Sequence, residues 1–279
     1  MVFKNKTVII TGGSAGVGAA TARSFAAAGA NLMLVARGKK KLEEIAEELC
    51  DKTRVEIMAM DVADQEACAS LFKKARFEFD GVHILINNAG YHERGRVDSI
   101  EAGELGKMID VNLRAPIVLS RLALPYIRES GGGAIINVGS LAGRTPVSGA
   151  ATYSASKAAL RAFTFALADE IKNDPIKLAV VSPGPVDTGF IMDNLDVVAD
   201  VTFSQPMSTA DEVAAEIVNL CSNTKREQSM PPASGIMTTV MYLFPWLGKI
   251  ARPLLDAKGR RVKKELRAKL IDATREAKS

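Results

Sequence analysis

The chain has 279 residues, 47% of them hydrophobic, and carries 36 Lys/Arg against 32 Asp/Glu for a formal net charge of +4. That is enough apolar material for a substantial core, in one large α/β domain or two small ones, so domain count has to come from pattern. Cys50, Cys68 and Cys221 are widely separated with no Cys-x-x-Cys pair, which argues against a disulfide framework and for a reducing, cytoplasmic setting.

The N-terminus runs through a few polar residues into the apolar stretch Thr7-Val8-Ile9-Ile10, so no secretion signal is expected. From there short β-branched runs alternate with longer helical stretches: Val8 to Thr11, Asn31 to Val35, Val55 to Met60, Ile84 to Asn87, Ala134 to Val138 and Lys177 to Val181. The rhythm predicts an α/β fold with a doubly wound, mostly parallel sheet. Its strands read as continuous apolar runs because helices would cover both faces.

After the first run, Thr11-Gly12-Gly13-Ser14-Ala15-Gly16-Val17-Gly18 opens an alanine-rich helix over Ala19 to Ala28. Glycines there allow a tight turn and close backbone approach, and the helix start offers free N–H groups and its dipole to a pyrophosphate. A strand-to-helix turn also needs glycine for backbone reasons alone. The second run ends in Leu34-Val35-Ala36-Arg37-Gly38-Lys39, without a carboxylate to accept from a ribose 2′-hydroxyl. The Arg37 guanidinium suits a 2′-phosphate instead, and can stack on adenine; the bland alternative is a solvated helix start.

Farther along stand Asp61-Val62, Asn87-Asn88-Ala89-Gly90, Tyr91 and His92, Asn112, Ser140, Tyr153-Ser154-Ala155-Ser156-Lys157 and Pro183-Gly184-Pro185-Val186-Asp187-Thr188. Tyr153 and Lys157 are four residues apart in a helix-forming stretch and so share a face. A phenol, with a reference pKa of ~10, is a weak acid, and a neighbouring cation favours its ionised form. Such a pair can donate a proton to a developing alkoxide. Singly, Ser140 reads as a strand-end cap, Asn112 as a helix-kink hydrogen bond and Tyr153 with Lys157 as an amphipathic pair. His83 has no partner at metal-ligand spacing, and no metal site is expected.

In order and approximate spacing, Thr-Gly-x-x-x-Gly-x-Gly and the motifs after it resemble the short-chain dehydrogenase/reductase family over about residues 5 to 190. The resemblance implies a single Rossmann-fold domain and a nicotinamide cofactor, for which Arg37 favours NADP(H) over NAD(H). It also implies that Gly12, Ser14, Gly16, Val17 and Gly18 hold the pyrophosphate turn, Asp61 and Val62 bracket adenine, and Asn88, Ala89 and Gly90 line the cofactor. Pro183, Gly184, Val186 and Thr188 would lie near the carboxamide and pyrophosphate. Lys157 would hold the nicotinamide ribose, Ser140 the substrate carbonyl, and Asn112 a water leading protons to Lys157, with Tyr153 as general acid and base. The family also suggests a homodimer or homotetramer.

Residues 187–212, with scattered apolar side chains and no long period, are the expected substrate lid. Leu141, Val147, Val186, Phe190, Ile191 and Met192 offer a lipophilic ketone or aldehyde an apolar site, or else form lid core. The expected division is 1–230 for the binding and catalytic domain and 231–279 for an apolar, then basic, helical extension. Residues 249–279 hold 11 Lys/Arg against 4 Asp/Glu, and the rest 25 against 28, so the basic character belongs to this tail. Its apolar part is short for a membrane span and is interrupted by Pro245. Residues 235–269 suit peripheral contact with a membrane surface, or packing on their own domain or across a dimer. The charged helix lacks interleaved aromatics, so no nucleic-acid partner is expected. The tail resembles those of lipid-metabolising family members, including 3-ketosphinganine reductase-like ones, which puts 3-oxoacyl and 3-ketosphinganine-like lipids among the implied substrates. A different class of function is a non-catalytic NADP(H) sensor or scaffold.

Overall fold

The computed structural model describes residues 3–276; residues 1–2, at the start of the expected catalytic unit, and 277–279, at the end of the extension, lie outside the described residues, as do the side chains of Lys269 and of residues 271–276. The first half alternates β1 (Thr7–Thr11), α1 (Gly16–Ala27), β2 (Asn31–Ala36), α2 (Lys39–Leu49), β3 (Val55–Ala59), α3 (Gln65–Phe79), β4 (Ile84–Asn87), α4 (Ala102–Ile109) and α5 (Ala115–Glu129). The second half holds β5 (Gly133–Val138), α6 (Ala151–Glu170), β6 (Ile176–Pro183), β7 (Val186–Asp187), α7 (Gly189–Met192), β8 (Ser208–Thr209), α8 (Ala210–Leu220), β9 (Glu227–Met230), α9 (Pro232–Leu243) and α10 (Pro245–Glu276). Seven parallel strands form the main sheet in the order β3-β2-β1-β4-β5-β6-β9.

Both faces of this sheet are covered, which is why the strands read as unbroken apolar runs. Val8 and Ile10 of β1 pack with Phe25 of α1, Leu42 of α2 and Ile217 of α8, while Ile9 faces Phe72 of α3 and Leu119 of α5 on the other side. Strand order reverses between β1 and β4, and a crevice opens there at the carboxyl ends of the strands.

The seventh strand had no apolar signature. Glu227-Gln228-Ser229-Met230 is held instead by Glu227, which accepts from Arg161 at 2.8 Å and from Ser182 at 2.9 Å and pairs with Arg144. Burial raises the Glu227 pKa, but the bonds from Arg161, Arg144 and Ser182 outweigh it and hold the carboxyl below its usual range.

The segment after β6 is closed at its base by the pairing of β7 with β8. In between lie α7 and a 3-10 turn over Asp200–Ser204, around a small cluster of Ile191, Leu195, Val198 and Phe203. Val262 and Leu266 of α10, one helical turn apart, complete that cluster, and Lys263 Nζ donates to the Val198 carbonyl at 2.8 Å. A side chain at Gly259 would collide with the Asp200 carbonyl. One face of the basic tail is thus packed on the segment over the crevice. Ile236 and Leu243 of α9 and Ile250 and Leu254 of α10 are 64–77% exposed. Among the described residues no helix is long and apolar enough to cross a membrane.

Candidate active site

The crevice is a cavity of about 990 Å³ at the carboxyl edge of the sheet. Its floor begins at the glycine-rich turn. Gly12 has φ +67°, and a Cβ there would stand 2.7 Å from Asn88 Nδ2. Gly18 does not face the cavity: a side chain on it would collide with the Gly12 carbonyl, so its part is to let α1 seat against the turn. The first residue before α1 is Ala15, which caps no N–H group, so the helix start is left open to an anion beside Gly12, Gly16 and Val17. This uncapped, glycine-cleared start, with Thr188 facing Gly16 across the cavity, fits a dinucleotide pyrophosphate.

Asn88 ties β4 to the same turn, donating from Nδ2 to the Thr11 carbonyl at 2.9 Å, while Thr11 Oγ1 accepts from the amides of Asn88 and Ala89 at 3.0 Å. Asn87 is wholly structural: it is buried and donates to Asn137 Oδ1 at 2.8 Å, and Asn137 donates to Thr164 Oγ1 at 2.8 Å. Ala89, Gly90, Pro183, Gly184, Val186 and Thr188 line the cavity. Ser14, Arg37, Asp61 and Val62 stand outside its lining, at the ends of the first three strands and the segments after them. Arg37 is exposed just past β2, and Asp61 Oδ1 accepts from the Ala63 amide at 2.9 Å.

Ser140, at the end of β5, and Tyr153 and Lys157, on α6, meet on one wall. Lys157 is 5% exposed, and its Nζ donates to the Val138 carbonyl at 2.8 Å and lies 5.9 Å from the Tyr153 ring centre. Burial pushes its pKa down to about 8. Burial raises the Tyr153 phenol, against opposing pulls from the Ser140 hydroxyl and the Arg94 charge. In the protein alone, then, desolvation outweighs the Ser140 bond and the Arg94 charge, and the phenol keeps its proton at neutral pH.

Asn112 sits in a π turn over Asp110–Arg114 and is fully buried. Its Oδ1 accepts from the Tyr91 amide at 2.9 Å and its Nδ2 donates to the Tyr91 carbonyl at 2.8 Å, so both ends of the side chain pin the loop after β4. A Cβ on Gly90 would meet Asn112 Oδ1 at 3.0 Å and Lys157 Nζ at 3.5 Å, so a side chain here would press on both the amide and the ammonium.

On the substrate side, Leu141, Val147, Val186, Phe190 and Ile191 reach the cavity, whereas Met192 packs into the lid cluster. His92 lines the cavity with its ring stacked on Tyr153, centroids 4.3 Å apart and planes 12° apart. Tyr91 does not line it and donates to the Glu104 carbonyl at 3.2 Å. His83 Nδ1 accepts from the Thr7 amide at 3.1 Å. Sequence reasoning missed Arg94, which lies in the wall beside His92 and Phe190, and the contributions of α9 and α10, including Met237, Met241, Lys249 and Leu255. The arginine had no pattern to mark it; the apolar face of α9 was legible, but not what it would face.

Residues 6–198 match the family model described as short chain dehydrogenase. A protein of Chromohalobacter salexigens named sulfoacetaldehyde reductase 2 is 36% identical over 187 residues, covering 66% of this chain and 74% of the relative. An uncharacterized oxidoreductase of Staphylococcus aureus is 33% identical over 67% of this chain and 80% of its own length. L-sorbose reductase from Gluconobacter frateurii, solved with NADPH and L-sorbose, superposes with a TM-score of 0.72 at 29% identity, over 81% of this chain and 95% of that one. A metagenomic short-chain oxidoreductase in complex with NADP gives 0.70 at 27% identity, over 81% and 97%.

Proposed function

The chain belongs to the short-chain dehydrogenase family of oxidoreductases, and on that premise we propose that it is an NADP(H)-dependent carbonyl reductase and alcohol dehydrogenase. Its substrate would be a ketone or aldehyde with an apolar body, and Tyr153 its general acid and base. The observation that carries this reading is the meeting of Tyr153, Ser140 and Lys157 on the wall of one cavity with the glycine-rich turn. The relatives named for reduction of sulfoacetaldehyde and L-sorbose support carbonyl chemistry, and the neighbours solved with NADPH and NADP support the cofactor.

When bound, the cofactor supplies hydride to the carbonyl carbon. Gly12, Gly16, Val17 and Thr188 are the residues to hold its pyrophosphate, Arg37 its 2′-phosphate, and Lys157 its ribose; Ser14, Gly18, Asp61, Val62 and the backbone at Asn88 to Gly90, Pro183, Gly184 and Val186 complete the mould. Ser140 donates to the carbonyl oxygen, where negative charge develops. The Tyr153 hydroxyl then gives that oxygen its proton, and the Lys157 ammonium stabilises the phenolate left behind. Asn112 keeps the loop beside Lys157 in place. A panel of aldehydes and ketones with NADPH or NADH tests the reading: NADPH oxidation with an apolar carbonyl is expected, and none with any member would end it.

The Lys157 pKa gives the reading a pH signature. The ammonium is lost as pH rises through about 8, while the phenol above it stays protonated. The reduction kcat/KM, which reports groups of the free enzyme, is therefore expected to be level near neutrality and to fall above about pH 8. A profile flat to about pH 10 would remove Lys157 from the mechanism.

The exposed apolar residues of α9 and α10 support the further proposal that the chain touches anionic membrane through 235–269. Ile236, Leu243, Ile250 and Leu254 are largely exposed, next to the basic stretch of α10, while Met237 and Met241 of the same α9 line the cavity. Several large apolar side chains exposed on two successive helices invite an apolar partner, and aromatics with flanking cations suit the lipid boundary. Truncation before β9 would remove a sheet strand and the clamp on the lid, so surface substitution is the cleaner probe. Flotation with vesicles of phosphatidylcholine and phosphatidylserine is expected for the full chain and lost in Ile250→Glu/Leu254→Glu. Equal flotation of both proteins would exclude this face as the anchor. A homo-oligomer in which the same face is covered by a second copy would appear instead as a dimer that the double substitution dissociates.

A further inference from the structure

The cavity wall carries a cation that the reduction described above does not use. Arg94 stands on the loop after β4 and lines the cavity together with His92, Tyr153 and Phe190. Its Nη2 donates to the Phe190 carbonyl at 2.8 Å, its Nη1 donates to His92 Nδ1, and its guanidinium lies 5.1 Å from the centre of the Phe190 ring. Its Nε is buried with no hydrogen-bond partner. A guanidinium has five N–H donors, and two are engaged here; three are left, the Nε hydrogen and one on each Nη.

Among the described residues no carboxylate stands within ion-pairing distance of Arg94; Glu93 beside it is exposed and acts only through space. Elsewhere in the chain, partly buried arginines are compensated. Arg144 and Arg161 share Glu227, and Arg252 pairs with Asp256 at 2.9 Å. Desolvating a charge without a counter-ion is costly, so an uncompensated guanidinium in a ligand cavity marks a place where an anion is received.

His92 fixes how this charge is presented. Burial, then the Arg94 charge, pushes its pKa down to about 3, with the Gly149 carbonyl pulling weakly the other way. The ring is therefore neutral, accepts from Arg94 at Nδ1 and carries its proton on Nε2. Stacked flat on Tyr153, it holds the guanidinium one ring away from the phenol without adding a second positive charge.

We propose that Arg94, braced by His92 and Phe190, is a specificity-determining anion clamp: the substrate carries a carboxylate, sulfonate or phosphate group within a few bonds of the carbonyl that Tyr153 and Ser140 address. The inference rests on the reading of the site as a carbonyl reductase and narrows its substrate class to an acidic carbonyl compound, with the apolar wall taking the remainder of the molecule. It adds an acidic group to the lipophilic ketone or aldehyde expected from the apolar residues of this site.

The test uses the full chain with NADPH and matched pairs of probes, succinate semialdehyde with butanal and levulinate with methyl propyl ketone. The wild type is expected to favour the acid of each pair in kcat/KM by about thirtyfold. In Arg94→Gln that ratio should fall to about one, chiefly through KM, and in Arg94→Lys, which keeps the charge but not the fork, it should stay above about threefold. An unchanged ratio in Arg94→Gln would overturn the clamp, as would a wild type that prefers the neutral member of each pair. If Arg94→Gln melts at a lower temperature and does not bind NADPH, the Arg94→Lys ratio decides: a ratio near one overturns the clamp. Turnover of no carbonyl of either kind would instead overturn the reductase reading itself.

Discussion

Tyr153→Phe is expected to lower carbonyl reduction by about a thousandfold while leaving NADPH affinity within about threefold of wild type. The substitution removes one oxygen and keeps the ring, so the stack on His92 and the contact with Phe190 are retained. What is lost is the hydroxyl proposed to deliver the proton; Ser140, whose own Oγ already accepts from the Ala142 amide at 3.1 Å, is a poor replacement because its hydroxyl is far less acidic. Substrate affinity should change little, and the loss should sit in kcat. Steady-state NADPH oxidation together with cofactor fluorescence separates the two quantities. A variant retaining more than about a tenth of wild-type kcat would mean that another group protonates the oxygen.

The second large effect is expected at Arg37. Replacing it with Asp should reduce kcat/KM for NADPH by about a hundredfold or more, and raise that for NADH, because a charge-assisted bond to the 2′-phosphate worth about 2–3 kcal/mol is exchanged for repulsion, and a carboxylate now accepts from the free ribose hydroxyl. The position suits this: Arg37 is exposed immediately beyond β2, while the neighbouring cation Lys39 is turned toward Glu43 at 3.5 Å. The ratio of kcat/KM for the two cofactors measures it. Equal loss with both would assign Arg37 to general electrostatics rather than to the phosphate.

The parallel sheet was legible because β1, β2, β4, β5 and β6 are largely buried and so announce themselves as apolar runs, with the half-buried β3 kept in register beside β2. The seventh was not. Glu227 to Met230 is polar, and what makes it a strand is a buried carboxylate shared by Arg144, Arg161 and Ser182, three residues brought from distant parts of the chain. The tail was half legible: its basic, amphipathic composition left open whether it met a membrane or its own domain. The helix does seat Val262, Lys263 and Leu266 on the lid, while Ile250 and Leu254 in its first turns stay exposed.

Much of the candidate site could be read from order and spacing, since Tyr153 and Lys157 must share a helix face and the glycine-rich turn must follow the first strand. Arg94 could not. In His92-Glu93-Arg94-Gly95-Arg96 the two arginines look alike, yet Arg96 is exposed and paired with Asp98 at 2.7 Å, whereas Arg94 turns inward against His92 and Phe190. Tyr91, next to His92 in sequence, is held away from the cavity by Asn112 and Glu104, because its backbone satisfies both ends of the buried Asn112 amide.

The most direct measurement follows the hydride. NADPH carrying deuterium at the transferable nicotinamide position, incubated with the enzyme and a carbonyl compound it turns over, should yield an alcohol with one deuterium on the former carbonyl carbon. An alcohol without that label, or NADPH that binds tightly and is never oxidised by any carbonyl compound, would contradict direct hydride transfer to a carbonyl protonated by Tyr153.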